Sequence, residues 1–287
     1  MLYFAENDTI SLQLRAVKIL HQEITPFHKV QLFLHSQLGK ILVIDDEIHH
    51  IEAFAPLYHE MLIHLPASFI ENIHTVLILG GGSLYAAQEA LRYPGAEVVM
   101  VDHDPKILGI ICRFYAHGNA VIDNPRFHHI AADAADYIDS NNSCYDLIAN
   151  DCFDLYSLRE RWKNPFQVLS SHLTGFGVCS DVIYRHIFDR RNKSRIFNQL
   201  KTTGTARACS LIVVPEYPGI LHVLTMWGIN ANISQRRSAP INKLQQKWLS
   251  CEGPCEIYNP QFLAAYLHLP RYLRNRMELG KVVCLER

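Results

Sequence analysis

A short apolar run that ends in three consecutive glycines constrains this chain more than any other feature. The run spans residues 75–79, Gly80, Gly81 and Gly82 follow, and Ser83 comes next. Residues 84–91 have a helical pattern, and a second apolar run ends at Asp102, about twenty residues after the glycines. This order predicts a βαβ unit whose glycines let a ligand approach the backbone closely. Asp102 is then placed to accept hydrogen bonds from both hydroxyls of a ribose, although a turn or helix cap is the alternative.

The same turn indicates the kind of nucleotide. It lacks the third glycine of a full dinucleotide fingerprint, so it suits a nucleoside without a pyrophosphate better than it suits NAD. We therefore expect the chain to bind an adenosine-containing small molecule.

Two regions of different pattern divide the chain. The first seventy or so residues contain short apolar runs separated by turn residues, which predict β-strands. From Thr75 onward strands alternate with helices, with strand ends at Leu79, Val101, Ile130 and Ile148, a fifth strand through 177–179 and a hairpin from 210–214 and 222–227. Alternation of this kind predicts an α/β fold with a mostly parallel sheet. We predict a small N-terminal β-domain over 1–72 and a nucleoside-binding domain over 73–287.

Acidic residues follow several of the predicted strands, at the sheet edge where ligands of such folds bind. Asp133 could accept a hydrogen bond from an exocyclic amine such as that of adenine, or could cap the helix that follows it. Asp151 and Asp154 could attract a cation or take a proton from an amine, and a merely acidic turn is equally consistent with their spacing.

A helix is predicted over residues 56–65, beginning at Pro56 and closed by Pro66. Tyr58 on this helix could orient a nucleophile, and the alternative is a half-buried tyrosine packed on the sheet. His50 and His64 are expected to be hydrogen-bonded structural residues.

Composition excludes several functions. The net charge is −1 and the pI is near 7, so no basic field exists to hold nucleic acid or an anionic membrane. No apolar run approaches the ~20 residues of a membrane helix, and the N-terminus lacks the layout of a secretory signal. The 8 cysteines include no CxxC pair. We expect reduced thiols, a cytoplasmic location and no metal site.

An ordered set of motifs resembles the polyamine aminopropyltransferases, the spermidine synthase family, over roughly residues 25–273. The motifs are Gly39-Lys40-Ile41-Leu42-Val43-Ile44-Asp45, residues 58–66 (YHEMLIHLP), the glycine run, 123–127 (DNPRF), 151–154 (DCFD), 215–217 (PEY), 258–260 (YNP), 264–266 (AAY) and Leu269-Pro270. The resemblance implies an N-terminal β-domain and a Rossmann-like domain of the methyltransferase type. It also implies a homodimer, with a tetramer as the alternative.

The resemblance implies a chemistry as well. Decarboxylated S-adenosylmethionine would serve as co-substrate, with no tightly bound cofactor, and a diamine such as putrescine would attack the carbon next to its sulfonium. The products would be spermidine or a related polyamine and methylthioadenosine. By resemblance Asp151 is the base, and Tyr58 and Tyr217 position the attacking nitrogen. The remaining implied contacts divide between acceptor and donor: Asp154 and His59 hold the acceptor, while Gly80, Gly82, Asp102 and Asp133 hold the nucleoside.

Several positions depart from the family pattern. Ser83 stands where an acidic residue normally pairs with the ammonium of the donor. His28 and His49 replace glutamines near the active site, Phe54-Ala55 replaces an acidic pair, and the lid segment 154–159 differs in sequence. Glu216 adds a negative charge beside the acceptor pocket.

These departures leave three interpretations open. The first is an aminopropyltransferase with altered amine specificity. The second is an S-adenosylmethionine-dependent transferase, such as a methyltransferase, because Ser83 would tolerate the donor carboxylate that an Asp would repel. The third is a non-catalytic nucleoside-binding relative. Retention of Tyr58, Asp151, Asp154 and Tyr217 favours the first interpretation.

Overall fold

The computed structural model describes residues 2–5, 10–15, 17–152, 155, 157–186, 199–200, 202–203, 206–228, 255–271 and 273. The strands are β1 (Leu2–Ala5), β2 (Ser11–Leu14), β3 (Val17–Ile24), β4 (Lys29–His35), β5 (Gly39–Ile44), β6 (Glu47–Ile51), β7 (Thr75–Gly80), β8 (Glu97–Val101), β9 (Phe127–Ile130), β10 (Tyr145–Asp151), β11 (Leu173–His186), β12 (Ala206–Ile212) and β13 (Ile220–Gly228). The α-helices are α1 (Ala55–Ala67), α2 (Tyr85–Leu91), α3 (Pro105–Phe114), α4 (Ala116–Ile122), α5 (Ala134–Ser140), α6 (Pro165–Ser171) and α7 (Leu263–Tyr266).

The N-terminal region is β-structure, as predicted. Strands β3 to β6 form an antiparallel sheet in sequence order, and β1 pairs with β2 in a separate two-stranded sheet. Asp45 and Asp46 both have positive φ and make the tight turn between β5 and β6, which suits the twist of a hairpin. The sequence pattern indicated β4 to β6 but missed β3, because no residue of β3 is fully buried and its apolar pattern is weak.

A seven-stranded sheet forms the larger part of the fold, in the order β12-β13-β11-β10-β7-β8-β9. The five strands from β11 to β9 are parallel, and β13 and β12 are added antiparallel. Val76 and Ile78 pack into the core on one face, and Leu77 and Leu79 pack into the core on the other. Both faces are therefore covered, and the predicted α/β fold class is confirmed.

Helix α1 differs from its prediction at one end. Pro56 lies in the first turn as expected, but Pro66 lies inside the last turn instead of closing the helix. A proline has no N–H to donate to the carbonyl of Leu62, four residues before it. The hydroxyl of Ser180 on β11 donates to that carbonyl at 3.0 Å, so the helix continues to Ala67 while docked on the large sheet.

Glu60 of α1 anchors the C-terminal segment. Its carboxylate accepts three hydrogen bonds from the backbone N–H groups of Glu256, Ile257 and Tyr258, at 2.8–2.9 Å. Within the described residues 258–271, the amphipathic helix predicted from Tyr258 onward contains a 3-10 turn (Pro260–Phe262) followed by α7. Most of the polar excursion predicted over 231–257 lies outside the described residues.

Several hydrogen bonds join the N-terminal sheet to the larger sheet. Thr25 donates its hydroxyl to Oδ2 of the buried Asp104 at 2.6 Å. Glu216 accepts a hydrogen bond from the backbone N–H of Ile51, and the hydroxyl of Tyr217 donates to the carbonyl of Ile48. These contacts fix β6 beside the carboxyl ends of the parallel strands. The predicted division at residue 72 stays a prediction.

The described residues show the state of most cysteines and the length of the helices. The six cysteines within the described ranges are all free thiols: Cys112, Cys144, Cys152, Cys179, Cys209 and Cys255. In the part of the chain that the structure describes, no helix has the length and apolar character required to cross a bilayer.

Candidate active site

The glycine turn lies between two aspartates. Asp151 pairs in register with Gly80 at the ends of β10 and β7, and a Cβ on Gly81 would lie 3.6 Å from Oδ2 of Asp151. A Cβ on Gly82 would lie 3.1 Å from Oδ2 of Asp102. Side chains at these glycines would fill the space in front of both carboxylates. The glycines therefore leave Asp102 and Asp151 facing one shared space.

Tyr58 and Asp151 form the central pair of this site. The Tyr58 hydroxyl donates to Oδ1 of Asp151 at 2.8 Å. The pKa of Asp151 is raised to about 7: burial is the largest cause, the Tyr58 hydrogen bond opposes the rise, and the nearby charge of Asp102 adds to it. A carboxyl group that titrates near neutrality can hold or release a proton under physiological conditions.

The thiol of Cys152 shows how closely the acidic residues converge. Loss of hydration raises its pKa, and four carboxylates raise it further: Asp151, Asp102, Asp181 and Asp133. Cys152 therefore lies within electrostatic range of all four aspartates. Asp133 also caps α5, since Oδ1 accepts the backbone N–H of Asp136 at 2.8 Å. Capping and ligand binding are compatible because the second oxygen of Asp133 is not used by this bond.

His59 is a neutral side chain with one available nitrogen. Burial lowers its pKa to about 4, and its Nδ1 lies 2.8 Å from the carbonyl oxygen of Ala55. Nδ1 must carry the proton to donate to that carbonyl, so Nε2 has a free lone pair and can accept. The ring stacks on Tyr85, with centroids 5.4 Å apart, and meets Tyr58 edge-on. His59, the residue after Tyr58 on α1, therefore offers Nε2 as a hydrogen-bond acceptor in a fixed position.

His28 and His49, the two histidines that replace glutamines of the family pattern, belong to the N-terminal β-structure: His28 precedes β4 and His49 lies in β6. His28 contacts Asp45 through Nδ1 at 2.6 Å and His103 through Nε2 at 2.9 Å. Loss of hydration lowers the pKa of His49, and the charge of Asp102 acts in the opposite direction.

The segment before β13 places Glu216 and Tyr217 against β6. Burial raises the pKa of Glu216, whose Oε1 accepts from the backbone of Ile51. Tyr217 donates its hydroxyl to Ile48, and it lies close enough to Tyr58 to affect that phenol electrostatically. Glu216 and Tyr217 therefore hold this segment against β6, the strand that precedes α1.

Ser83 follows the glycines at the start of the turn into α2. Its backbone carbonyl accepts from Nε2 of His117 at 2.8 Å, and the ring of Tyr85 packs at a tilt against the same imidazole, with centroids 3.9 Å apart. Leu84, the N-cap of α2, adopts a left-handed φ of 64°. Asp154, by contrast, lies outside the described residues.

Sequence reasoning missed two buried polar residues behind the site. Asn150 is 3% exposed, and its amide nitrogen donates to Oδ1 of Asp181, which is 5% exposed, at 2.9 Å. A charged residue two positions after the buried apolar run Val178-Cys179 was the signal that could have indicated Asp181.

One group of potential metal ligands occurs within the described ranges, away from the glycine turn. His64, Glu89 and Cys255 bring ligating atoms within 4.8 Å of one another. The guanidinium of Arg92, however, already bonds Oε2 of Glu89 at 2.7 Å, and His64 bonds the same oxygen at 2.8 Å. We interpret this group as an ion-pair network that fastens α1 to α2.

Two family profiles match the chain. The profile of the spermine/spermidine synthase domain matches residues 55–237, and that of the spermidine synthase tetramerisation domain matches residues 1–52.

Relatives and a solved structure agree with the profiles. A polyamine aminopropyltransferase of Buchnera aphidicola subsp. Acyrthosiphon pisum is 29% identical over 267 residues, which is 91% of each chain. Putrescine N-methyltransferase 1 of Nicotiana tabacum is 27% identical over 279 residues, covering 93% of this chain and 73% of the relative. A spermidine synthase crystallised with the transition-state analogue AdoDATO superposes with a TM-score of 0.80 at 19% identity, covering 97% of this chain and 94% of the other. At that identity the superposition shows the fold.

Proposed function

The chain belongs to the spermine/spermidine synthase family, and on this premise we propose that it is a polyamine aminopropyltransferase. It transfers the aminopropyl group of decarboxylated S-adenosylmethionine to a diamine such as putrescine. The donor is a co-substrate that enters and leaves, and no tightly bound cofactor takes part.

One observation carries the proposal: the 2.8 Å hydrogen bond between Tyr58 and an Asp151 carboxyl whose pKa is raised to about 7. An alkylammonium ion has no lone pair, so an acceptor amine must lose a proton before it can attack. A buried carboxylate with a pKa near neutrality is a suitable base for this step. A protein that only bound a nucleoside would have no use for such a base.

The step is a single displacement. Asp151 takes a proton from the acceptor ammonium, and the freed nitrogen lone pair attacks the methylene carbon bonded to sulfur. The new C–N bond forms as the C–S bond breaks, and the bonding pair goes to sulfur. The sulfonium becomes the neutral thioether of methylthioadenosine. Holding both reactants in line is worth up to ~7–11 kcal/mol of the barrier.

Residues around the pair have defined parts in this proposal. Asp102 binds the ribose hydroxyls, and Asp133 binds the adenine amine. Gly80 and Gly82 admit the nucleoside to the backbone. The acceptor is held by Tyr58, Tyr217, His59, Glu216 and Asp154, and His28 and His49 complete the donor side.

Methyl transfer from intact S-adenosylmethionine is the second candidate. Ser83 favours it, because a neutral hydroxyl does not repel the donor carboxylate as an Asp would. The putrescine N-methyltransferase relative favours it as well. The retained Tyr58, Asp151 and Tyr217 favour aminopropyl transfer.

Product analysis separates the two candidates. The purified protein is incubated with putrescine and either donor, and the products are identified by mass spectrometry. The proposal predicts methylthioadenosine and an aminopropylated amine from the decarboxylated donor. A methylated amine formed only from S-adenosylmethionine would establish the second candidate, and no product from either donor would contradict both.

The setting of the enzyme is also proposed. The match of residues 1–52 to a tetramerisation domain supports a homo-oligomer, either a dimer or a tetramer. The cytoplasm is the proposed location, supported by the free thiols. The proposed domains are 1–72 and 73–287.

A further inference from the structure

Strand β11 carries a carboxylate in its buried part. Asp181 is only 5% exposed, its neighbour Ser180 is fully buried, and Thr225, opposite it on β13, is fully buried as well. Burying a carboxylate is costly unless polar partners satisfy it. Asp181 is therefore expected to have polar partners.

Asp181 fixes the orientation of Asn150. The two residues pair in register on adjacent parallel strands, and Nδ2 of Asn150 donates to Oδ1 of Asp181 at 2.9 Å. A carboxylate can only accept, so it selects the NH₂ end of the Asn150 amide. The Oδ1 end of Asn150 then faces Cys152, 3.5 Å from its backbone N and 3.6 Å from its Sγ. Asn150 thus links Asp181 on β11 to Cys152, the residue that follows Asp151.

The same carboxylate also acts on the other member of the central pair. The charge of Asp181 is among the groups that raise the pKa of the Tyr58 phenol, after burial and Asp151. The residue before it, Ser180, bonds the carbonyl of Leu62 in α1, the helix that carries Tyr58. Asp181 therefore lies where β10, which carries Asp151, and α1, which carries Tyr58, are both held to β11.

We propose that Asp181 is a positioning residue, which acts through Asn150 to hold Asp151 in line with Tyr58 for proton transfer. This inference rests on the proposed function. It does not require Asp181 to touch either substrate.

Two variants and a control test it. Asp181→Asn has nearly the same shape but can present either end of its amide, so Asn150 is free to turn and lose its contact with Cys152. The exchange D181N/N150D keeps the bond between the two positions and the bond to the Cys152 backbone, because the carboxylate introduced at position 150 can accept both from the amide introduced at position 181 and from the backbone N–H of Cys152. Asp146→Asn is the matched control. Asp146 lies near the amino end of β10, the strand that carries Asn150, and it accepts hydrogen bonds from the hydroxyl of Thr174 and the backbone N–H of His74.

Each of the three variants has an expected result. D181N lowers kcat/KM for the amine by about 10- to 100-fold, a loss typical of small misplacements of a reacting group. Its affinity for the decarboxylated donor, measured by calorimetry, changes by less than about threefold, since the donor site is intact. D146N keeps wild-type turnover, and the exchange variant recovers at least about tenfold of the loss in D181N.

Other results would overturn the inference. Wild-type kcat/KM in D181N would do so, and so would a folded exchange variant that is as slow as D181N. If D181N does not fold, the exchange variant decides alone: activity supports the inference and inactivity contradicts it.

Failure of the proposed function would be visible separately, as no transfer by the wild type. The titration of Asp151, followed by NMR of ¹³C-labelled aspartate, would then test Asp181. The Tyr58 hydrogen bond lowers the pKa of Asp151, and misalignment of Asp151 weakens that bond, so D181N should raise the titration by at least about half a pH unit. An unchanged titration would contradict the inference.

Discussion

The hydroxyl of Tyr58 donates a 2.8 Å hydrogen bond to Oδ1 of Asp151, across 93 residues of sequence. Tyr58 lies on α1 and Asp151 ends β10, so the bond forms only when the helix is docked on the large sheet. The fold thereby places a phenol that donates and a carboxyl group with a raised pKa at one point. The proposed chemistry depends on this pair.

Asp151→Asn should abolish transfer while leaving donor binding in place. Asparagine keeps the shape of the side chain and can accept from Tyr58, but it cannot take a proton from an ammonium ion. Loss of a general base lowers the rate about 10²- to 10⁴-fold. Turnover assays and donor calorimetry on the same preparation check this. Full activity in D151N, or loss of donor binding together with turnover, would show that Asp151 has another role.

The pH dependence of kcat/KM should have an acid limb near pH 7. Asp151, with its pKa raised to about 7 by burial, is protonated and inactive as a base below that value and becomes a base as the pH rises. Tyr58→Phe removes the hydrogen bond that opposes the rise. The limb should therefore move to higher pH in Y58F. A limb that stays in place or moves down would separate Asp151 from the titration.

Asp151 should also reduce stability at neutral and alkaline pH. Its folded pKa is raised above the ordinary value of 3.8 to about 7, so the stabilisation from its neutral form is complete below about pH 4 and is lost as the pH rises through 7. Relative to wild type, D151N should gain about 1–3 kcal/mol in free energy of unfolding at pH 8. The difference should shrink towards zero near pH 4. Urea unfolding at the two pH values measures it, and a pH-independent difference would contradict the pKa shift.

Ser83→Asp should tighten binding of decarboxylated S-adenosylmethionine. A carboxylate at this position can pair with the ammonium of the aminopropyl chain, and a charge-assisted hydrogen bond is roughly twice as strong as a neutral one. We expect a gain of about 5- to 20-fold in affinity, with weaker binding of the carboxylated donor. Ser83→Ala is the matched control and should leave the ratio of the two affinities near that of wild type. If S83D binds the decarboxylated donor no better, Ser83 does not face the donor tail.

Thr25→Val should weaken the joint between the two sheets. Valine matches threonine in shape but leaves Oδ2 of the buried Asp104 without its 2.6 Å hydrogen bond. The expected cost is about 1–3 kcal/mol in free energy of unfolding. Thr25→Ser, which keeps the hydroxyl, should lose much less. Equal losses in the two variants would assign the effect to packing of the methyl group.

The order of strands and helices in the large sheet was predictable because local patterns produce it. Residues 76–79 are buried on both faces and read as a continuous apolar run, and the glycines mark the turn after them. Strand β3 was not predictable in this way, because its residues are exposed or half-buried without a regular alternation. The continuation of α1 past Pro66 was also hidden, since it depends on Ser180, 114 positions further along the sequence.

The candidate site likewise has features that the sequence could predict and features that it could not. Asp102, Asp133 and Asp151 could be named from their places at strand ends, where topology brings them together. The raised pKa of Asp151 could not, because it arises from burial and from Asp102 across the glycine turn. Asp181 was missed because its role depends on its register with Asn150, a contact between strands that the sequence alone does not pair.

The proposed aminopropyl transfer requires one adenosyl site beside Asp102 and Asp151. Calorimetric titration with decarboxylated S-adenosylmethionine, S-adenosylmethionine and methylthioadenosine measures that site. Aminopropyl transfer predicts that the decarboxylated donor binds more tightly than the carboxylated one, and that Asp102→Asn weakens the binding of all three ligands together. Tighter binding of S-adenosylmethionine would instead identify a methyltransferase-like donor site. No binding of any of the three ligands would contradict the proposed function.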